Sequence, residues 1–463
     1  MGYNNELRKT KKKKRKENEK RKRGRRMDQI VSELLIYGDL PEDSILIRLS
    51  DIAAELKKAD YDKNALRRKT YAEAKRILEI STDYAFDRNL WQCYLTYLLV
   101  MNENPFSLTC EKIGSKGGSV SGFAMSDFHA FRELFHYDFT LFKEKLGIDC
   151  FDVITHYEAI DKPELMYNGN VSEKVRGLAE KLAEASDDET FFHLVTGFYK
   201  DYGVGNFGLN KAFRIREEKD GSVGFTAVNN MDKVVLDDLI GYEIQKQKLV
   251  ENTKAFVEGR KANNVLLFGD SGTGKSTSIK AIVNEYYDDG LRMIEIYKYQ
   301  FKMLSQLISE IKNRNYKFII YMDDLSFEED ESEYKFLKAV IEGGVETRPE
   351  NILIYATSNR RHLIKETWGD RHDMGKDSED IHHSDTVEEK LSLGNRFGVT
   401  IGYFKPDRQE YYNIVEKLAE KSGITMDQKE LRLQADQWEM RHGGVSGRTA
   451  QQFVNHLLGL QAD

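Results

Sequence analysis

The chain contains few cysteines and few prolines, and it lacks a long apolar run. Its three cysteines, Cys93, Cys110 and Cys150, are scattered and odd in number, which excludes a disulfide scaffold and the spacing of a zinc ribbon. Five prolines in 463 residues leave few places where a helix must break. The longest apolar stretch, around residues 89–100, is shorter than the roughly 18 residues that cross a membrane. We therefore expect a reduced, cytoplasmic protein without a membrane span.

The charges that are present are unevenly distributed. Residues 1–26 contain 14 Lys and Arg against three Glu, a net charge of +11, whereas the rest of the chain has a net charge of −18. Such a basic run cannot bury apolar surface, so we expect a disordered arm. The arm would suit a non-specific contact with nucleic acid. Alternatively it is a translated purine-rich leader, and the natural start is Met27.

Changes in pattern divide the rest of the chain into four segments. We predict a mainly helical N-terminal domain, a short β connector, an α/β core and a helical C-terminal segment, at residues 27–200, 201–232, 233–405 and 406–463. Apolar strands alternate with helical stretches in the core, which predicts a parallel sheet covered by helices. The strand candidates are residues 264–268, 292–296, 317–322, 351–357 and 399–404.

Gly203, Gly205 and Gly208 spell G-x-G-x-x-G, the pattern of a dinucleotide-binding loop. In that loop the glycines follow a strand and open a helix. Here they follow a helical pattern at residues 189–200. We therefore predict a helix end and a turn rather than a cofactor loop.

The strongest motif is a glycine-rich loop between an apolar strand and a helix. Residues 269–276 read G-D-S-G-T-G-K-S, a full G-x-x-x-x-G-K-[ST]. The glycines let backbone N–H groups face phosphate oxygens, the lysine reaches the β- and γ-phosphates, and the Ser276 hydroxyl coordinates Mg²⁺. The predicted nucleotide-binding residues of this loop are Gly269, Asp270, Ser271, Gly272, Thr273, Gly274, Lys275, Ser276 and Thr277.

An acidic motif follows a second apolar strand. Asp323 and Asp324 come directly after residues 317–322. Asp323 is placed to hold Mg²⁺, directly or through water, together with Ser276. Asp324 is placed to orient an attacking water. The alternative is a solvated acidic turn, which the apolar residues before it disfavour.

These motifs resemble those of AAA+ P-loop ATPases. Residues 235–463 are most similar to a bacterial AAA+ family known only as a domain of unknown function. Besides the two motifs, the resemblance rests on LDDLIGY at 236–242, YATSNR at 355–360, EKLSLGNRFG at 389–398 and SGRT at 446–449. NPF at 104–106 and GLNKAF at 208–213 extend it toward Met27.

The resemblance implies ATP and Mg²⁺ as ligands and a role for further residues. Asn359 would be sensor 1, which helps to place the attacking water, and Arg448 would be sensor 2 on a mobile helical lid. The residues implied to lie against adenine are Leu239, Ile240 and Gly241.

Arg396 resembles the arginine finger that completes the site of a neighbouring subunit. Its role therefore implies a homo-oligomer with catalysis in trans. Arg360 and Arg361 are rival candidates for the finger. Each of these residues also has a purely structural interpretation. Arg396 would be a surface arginine, Asn359 would cap the segment that follows it, and Arg448 would pair with an acidic neighbour.

The expected function is Mg²⁺-dependent ATP hydrolysis that drives remodelling of a protein or nucleic-acid partner. One departure from the resemblance concerns Asp324, because most AAA+ ATPases have glutamate there. Aspartate is one methylene shorter, so turnover is expected to be slow. An assembly switch with little turnover, a DNA-engaging ATPase of helicase-loader type and a small-molecule kinase are the alternatives.

The segment at residues 360–389 contains His362, His372, His382 and His383 among several acidic residues. Imidazoles and carboxylates suit Zn²⁺. However, adjacent histidines do not easily bind one ion, so we expect a solvated loop that contacts a partner.

Overall fold

The computed structural model describes residues 25–115, 117–163, 166–229, 231–328, 331, 333–342, 349–361, 363 and 393–461. The chain divides into two compact units, Met1–Asn210 and Lys211–Asp463. The basic run lies outside the described residues as far as residue 24. None of the helices in the described ranges is long and apolar enough to span a membrane.

The first unit is helical, as predicted for this part of the chain. Its helices are α1 (Met27–Val31), α2 (Ile45–Glu55), α3 (Lys63–Tyr84), α4 (Leu90–Met101), α5 (Pro105–Ile113), α6 (Ser119–Phe135), α7 (Thr140–Leu146), α8 (Cys150–Thr155), α9 (Gly169–Ala183), α10 (Asp188–Asp201) and α11 (Gly205–Leu209). The apolar α4 begins after Asn89, whose side chain accepts the N–H of Gln92, and it is buried along most of its length.

A buried carboxylate fixes the segment that follows α1. Asp127 on α6 is fully buried and accepts the backbone N–H groups of Leu35, Ile36 and Tyr37 at 2.8–3.1 Å. These bonds compensate for the loss of hydration of the carboxylate. They tie the bend at residues 35–37 to the helical core.

The helix end and turn predicted at the glycine pattern are confirmed at Gly203, whereas Gly205 and Gly208 belong to the short helix α11. Helix α10 ends at Asp201, and Gly203 has a φ of +84°. A Cβ at Gly208 would lie 2.8 Å from the carbonyl carbon of Gly203, so two backbones approach closely here. The glycines therefore let the chain turn from α10 into α11 with close backbone packing.

The second unit is built on a seven-stranded sheet in the order β2-β1-β4-β5-β6-β3-β7. Its strands are β1 (Ala212–Glu217), β2 (Val223–Ala227), β3 (Val265–Gly269), β4 (Leu291–Glu295), β5 (Lys317–Met322), β6 (Ile352–Ser358) and β7 (Val399–Tyr403). Its helices are α12 (Glu243–Val257), α13 (Lys275–Glu285), α14 (Leu304–Ile311), α15 (Tyr334–Glu342), α16 (Arg408–Lys421), α17 (Gln428–Arg441) and α18 (Gly447–Gln461). The five predicted core strands are confirmed within one residue at each end.

The hairpin β1–β2 lies in the segment that was predicted to be a short β connector, and it is part of the sheet. Strand β1 pairs in parallel with β4, with Ala212 opposite Met293. Phe213 and Ile215 of β1 are buried. The hairpin therefore forms the edge of the sheet, because its backbone continues the hydrogen-bonded ladder of β4.

The register of the sheet brings the chemistry-bearing residues together. Phe268 of β3 lies opposite Ser358 of β6, and Met322 of β5 lies opposite Ala356. The loops that follow these three parallel strands all leave the sheet at the carboxyl ends of its strands. Helices α16–α18 pack around a separate small core that includes Tyr411, Val415 and Val454.

Candidate functional site

The phosphate loop connects β3 to α13 through three glycines with positive φ. Gly269, Gly272 and Gly274 have φ values of +126°, +76° and +94°. A Cβ at Gly269 would lie 2.0 Å from the carbonyl oxygen of Tyr403. Only glycine meets both demands there, and the loop leads directly into the N-terminus of α13.

Lys275 is buried at the first position of α13, with 7% of its surface exposed. Its ammonium group donates to the carbonyl oxygens of Gly269 and Asp270 at 2.9 and 2.6 Å and to Oδ1 of Asn359 at 3.1 Å. Burial lowers the pKa of Lys275, although Asp270 and the two carboxylates of the acidic motif act against the shift. A partly desolvated cation at a helix N-terminus favours the binding of an anion.

One carboxylate oxygen of Asp323 accepts hydrogen bonds from two hydroxyl groups. Ser276 Oγ donates to its Oδ1 at 2.7 Å, and Thr357 Oγ1 donates to the same atom at 2.6 Å. Burial alone would raise the pKa of Asp323, but the hydrogen bonds to the carboxylate outweigh it and hold the pKa below its usual range. The carboxylate is therefore anionic at neutral pH and lies beside the Ser276 hydroxyl.

Asp324 adopts a backbone conformation that is uncommon for residues other than glycine. Its φ is +50°, in the left-handed region. Its N–H donates to Thr357 Oγ1 at 2.9 Å, and its Oδ1 accepts Asn359 Nδ2 at 2.7 Å. Such strain persists where the surrounding contacts enforce it, and it is frequent at functional sites.

These groups line a cavity of about 690 Å³. That volume is in the usual range of small-molecule sites. The cavity is lined by the phosphate loop, the acidic motif, Asn359, residues before α12 and residues of α16 and α18. The predicted site residues that line it are Leu239, Ile240, Ser271, Gly272, Thr273, Gly274, Lys275, Ser276, Thr277, Asp323, Asp324, Asn359 and Arg448.

Gly241, Gly269, Asp270 and Arg396 are not among the lining residues of the cavity. Gly241 has a φ of +83° and turns the chain toward α12. Gly269 and Asp270 support the loop from behind, where the Asp270 N–H donates to the carbonyl of Tyr403 at 2.9 Å.

Part of the lining of the cavity is apolar. Leu239, Ile414 and Leu418 line it. The carbonyl of Leu239 accepts the buried ammonium of Lys246 at 2.9 Å, which fixes the segment before α12. This surface suits the face of a planar base.

Arg448 joins the C-terminal helices to the phosphate loop. Its N–H donates to the carbonyl of Gly272 at 3.1 Å, and a Cβ at Gly272 would lie 3.1 Å from the Cβ of Arg448. The hydroxyl of Ser446 accepts the N–H of Thr449 at 3.1 Å and so caps α18 at this point. The start of α18 thus rests directly on the loop.

Arg396 lies in a turn directly after a short helical stretch and is half-buried. Its N–H donates to the carbonyl of Leu393 at 3.3 Å. Of the rival arginines, Arg361 lies over the ring of Phe268, at 5.9 Å from the ring centroid, and the Arg360 N–H donates to Ser358 Oγ. The four histidines predicted to lie in a loop, His362, His372, His382 and His383, are outside the described residues.

Several lining residues were missed by the sequence analysis. Thr357 lies two residues before Asn359, near the end of β6. Threonine is common in strands, so its presence there did not indicate a functional role. Gln451 and Gln452 of α18 come within reach only because α18 folds back over the loop. The other lining residues that were not predicted are Val234, Asp238, Tyr242, Ile414, Leu418 and Gly447.

We expect Gly274→Ala to weaken ATP binding by roughly tenfold or more. A Cβ there would lie 2.2 Å from Leu239 Cδ1, and the φ of +94° adds a strain of roughly 1–2 kcal/mol. Titration with a fluorescent ATP analogue measures the change. Gly290→Ala is the matched control, because Gly290 has a φ of +90° with no atom within 4 Å of its Cβ. Equal affinities for the two variants would contradict the prediction.

Comparisons with known proteins place the second unit in a family. The family described as "Protein of unknown function (DUF815)" matches residues 209–461, more than half of the chain. A stretch of 73 residues is 34% identical to the replication factor C large subunit of Methanococcus vannielii and covers 16% of this chain. The chain matches 15% of the length of that relative.

Solved structures with weak similarity include the RuvB Holliday junction branch migration motor of Thermotoga maritima. That match has a TM-score of 0.34 and 17% identity, over 50% of this chain and 67% of that one. The FIGL-1 AAA domain in complex with ADP matches with a TM-score of 0.33 and 19% identity, over 48% and 72% of the two chains. The chain belongs to the DUF815 family, and its second unit carries a P-loop on a mostly parallel sheet that is followed by a C-terminal helical segment.

Proposed function

We propose that this protein binds ATP and Mg²⁺ in the cavity at the edge of the sheet and hydrolyses the nucleotide. The observation that carries the proposal is the meeting of three strand ends. Lys275 follows β3, Asp323 follows β5 and Asn359 follows β6, and hydrogen bonds of 2.7–3.1 Å connect them through Ser276 and Asp324. A phosphate loop alone occurs in many proteins, whereas this convergence is what phosphoryl transfer requires.

The donor set fits Mg²⁺. The ion prefers oxygen ligands, and a P-loop hydroxyl with one carboxylate is a common protein contribution. Ser276 and Asp323 supply these two groups within 2.7 Å of each other. When bound, Mg²⁺ would neutralise charge on the β- and γ-phosphates.

Residues of the chain would then bind the phosphates, orient the attacking water and contact the adenine. Lys275 would hold the β- and γ-phosphates, and the phosphate-loop N–H groups would hold their oxygens. Asp324 would orient the attacking water, with Asn359 fixing its carboxylate. Leu239, Ile240 and Gly241 would bring the adenine into place, and Arg448 would couple the nucleotide to the lid.

Hydrolysis would drive remodelling of a protein or nucleic-acid partner by an oligomer in which Arg396 acts on a neighbouring subunit. The fold of the second unit supports an ATPase but leaves the partner open, because one fold serves many functions. The scattered cysteines favour the cytoplasm as its compartment.

A nucleotide-controlled assembly switch with little turnover is the second candidate. The short Asp324 side chain favours it, since its Oδ1 is already occupied by Asn359 Nδ2 at 2.7 Å.

The test is the ATPase rate per subunit measured against protein concentration, in Mg²⁺ and in EDTA. We expect a rate that depends on Mg²⁺ and rises with concentration. Tight Mg²⁺-dependent ATP binding with negligible turnover at every concentration would favour the switch. Absence of ATP binding would contradict both functions.

A further inference from the structure

We propose that Thr357 is a positioning residue for ATP hydrolysis, whose single hydroxyl holds the carboxylate of Asp323 directly and fixes Asp324 through its backbone N–H. This inference rests on the proposed function and adds a residue to it. Thr357 lies near the end of β6, is 2% exposed and faces the cavity. In this proposal Thr357 acts through the two aspartates and does not contact the phosphates or the attacking water.

The hydroxyl of Thr357 uses its proton and one lone pair on adjacent residues. It donates to Asp323 Oδ1 at 2.6 Å and accepts the N–H of Asp324 at 2.9 Å. The carbonyl of the same residue accepts the N–H of Leu325 at 2.7 Å. One residue of β6 therefore contacts three successive residues that follow β5.

These bonds explain how Asp324 keeps its left-handed backbone. A φ of +50° is unfavourable for aspartate, so some contact must enforce it. The Asp324 N–H can reach Thr357 Oγ1 in this conformation, and its carboxylate then meets Asn359. If the Thr357 hydroxyl is removed, the Asp324 N–H loses its acceptor. The left-handed conformation of Asp324 is then less stable.

The same hydroxyl also orients Asp323. Ser276 and Thr357 donate to one oxygen of the carboxylate from two different elements, α13 and β6. Groups that orient a metal ligand in this way typically change metal affinity or activity by about 10–100-fold when they are removed.

Two substitutions separate positioning from simple packing. Thr357→Val keeps the size and the branched shape but removes the hydroxyl. Thr357→Ser keeps the hydroxyl but removes the methyl group. Thr253→Val is the matched control, because Thr253 is a fully buried threonine in the same unit whose hydroxyl contacts Leu249 and Tyr355 away from the cavity.

The experiment measures kcat, KM and the Mg²⁺ concentration for half-maximal rate in the full chain. Affinity for a fluorescent ATP analogue is measured in Mg²⁺ and in EDTA. For Thr357→Val we expect a loss of kcat of about 10²-fold, as small displacements of reacting groups produce. We also expect a requirement for about 10–100-fold more Mg²⁺ and an unchanged affinity in EDTA. Thr357→Ser and Thr253→Val are expected to stay within about threefold of the parent chain, well inside that loss.

Equal losses in Thr357→Val and Thr357→Ser would overturn the proposal, because packing would then explain the effect. A parent-like Thr357→Val would overturn it as well. Thr357→Ala replaces Thr357→Val if circular dichroism shows that the valine variant does not fold. If the parent chain binds Mg²⁺ and ATP but shows no turnover, the Mg²⁺-dependent ATP affinities of the variants test the proposal. If the parent chain binds no ATP, the proposed function itself is contradicted.

Discussion

Replacing Arg396 by alanine is expected to lower the ATPase rate by about 10³–10⁵-fold, the range for an arginine finger in phosphoryl transfer. The affinity for ATP should stay unchanged, because Arg396 is not a lining residue of its own chain's cavity. The loss would therefore appear in kcat, measured by steady-state kinetics at a protein concentration that supports assembly.

Mixing two inactive variants tests whether Arg396 acts in trans. A Lys275→Ala subunit retains its arginine, and an Arg396→Ala subunit retains its phosphate loop. When the two are neighbours in an oligomer, one complete site forms at their interface. We expect part of the parental rate to return on mixing.

The controls concern the other arginines. Arg432→Ala should leave the rate unchanged, because Arg432 lies on the lid surface and contacts Glu416 at 2.6 Å. Failure of the mixture to regain activity would mean that Arg396 does not act in trans. If Arg360→Ala or Arg361→Ala produced the large loss instead, the finger would be one of these rivals.

Lys275→Ala is expected to have the second large effect, on both binding and turnover. Its ammonium is held by two carbonyls and Asn359 at the start of α13 and would donate to phosphate oxygens in the bound state. A hydrogen bond of a charged group contributes about 1.5–3 kcal/mol, so ATP affinity should fall by about 10–100-fold. Loss of a preorganised donor to developing charge should lower the rate by a further factor of about 10²–10³.

Calorimetric titration with ATP and Mg²⁺ measures the affinity, and a phosphate-release assay measures the rate. Lys280→Ala is the matched control on the same helix, because Lys280 contacts Asp232 at 2.6 Å and does not line the cavity. An unchanged ATP affinity in Lys275→Ala would contradict the assignment of the phosphate site.

The phosphate loop could be predicted from sequence because its chemistry is local. Its glycines, its lysine and its hydroxyl lie within residues 269–276, and backbone geometry dictates their spacing. The strand ends at Asp323 and Asn359 could be predicted for a related reason, since apolar runs mark the strands and polar residues mark their ends. Their convergence follows from the parallel sheet.

Contacts that depend on register could not be predicted in this way. Thr357 meets Asp323 and Asp324 only because β5 and β6 are neighbours with Met322 opposite Ala356. The place of the hairpin β1–β2 in the sheet could not be predicted for the same reason. The pattern of residues 201–232 predicts a short β connector but does not reveal that one of its strands pairs with β4.

The placement of β1 beside β4 affects how the second unit can be produced in isolation. A recombinant fragment beginning at residue 233 would omit the hairpin and leave β4 as a bare, apolar edge strand. Exposed edges of this kind recruit other chains and promote aggregation. A soluble truncation therefore has to begin before Ala212, near residue 209, where the family match also begins.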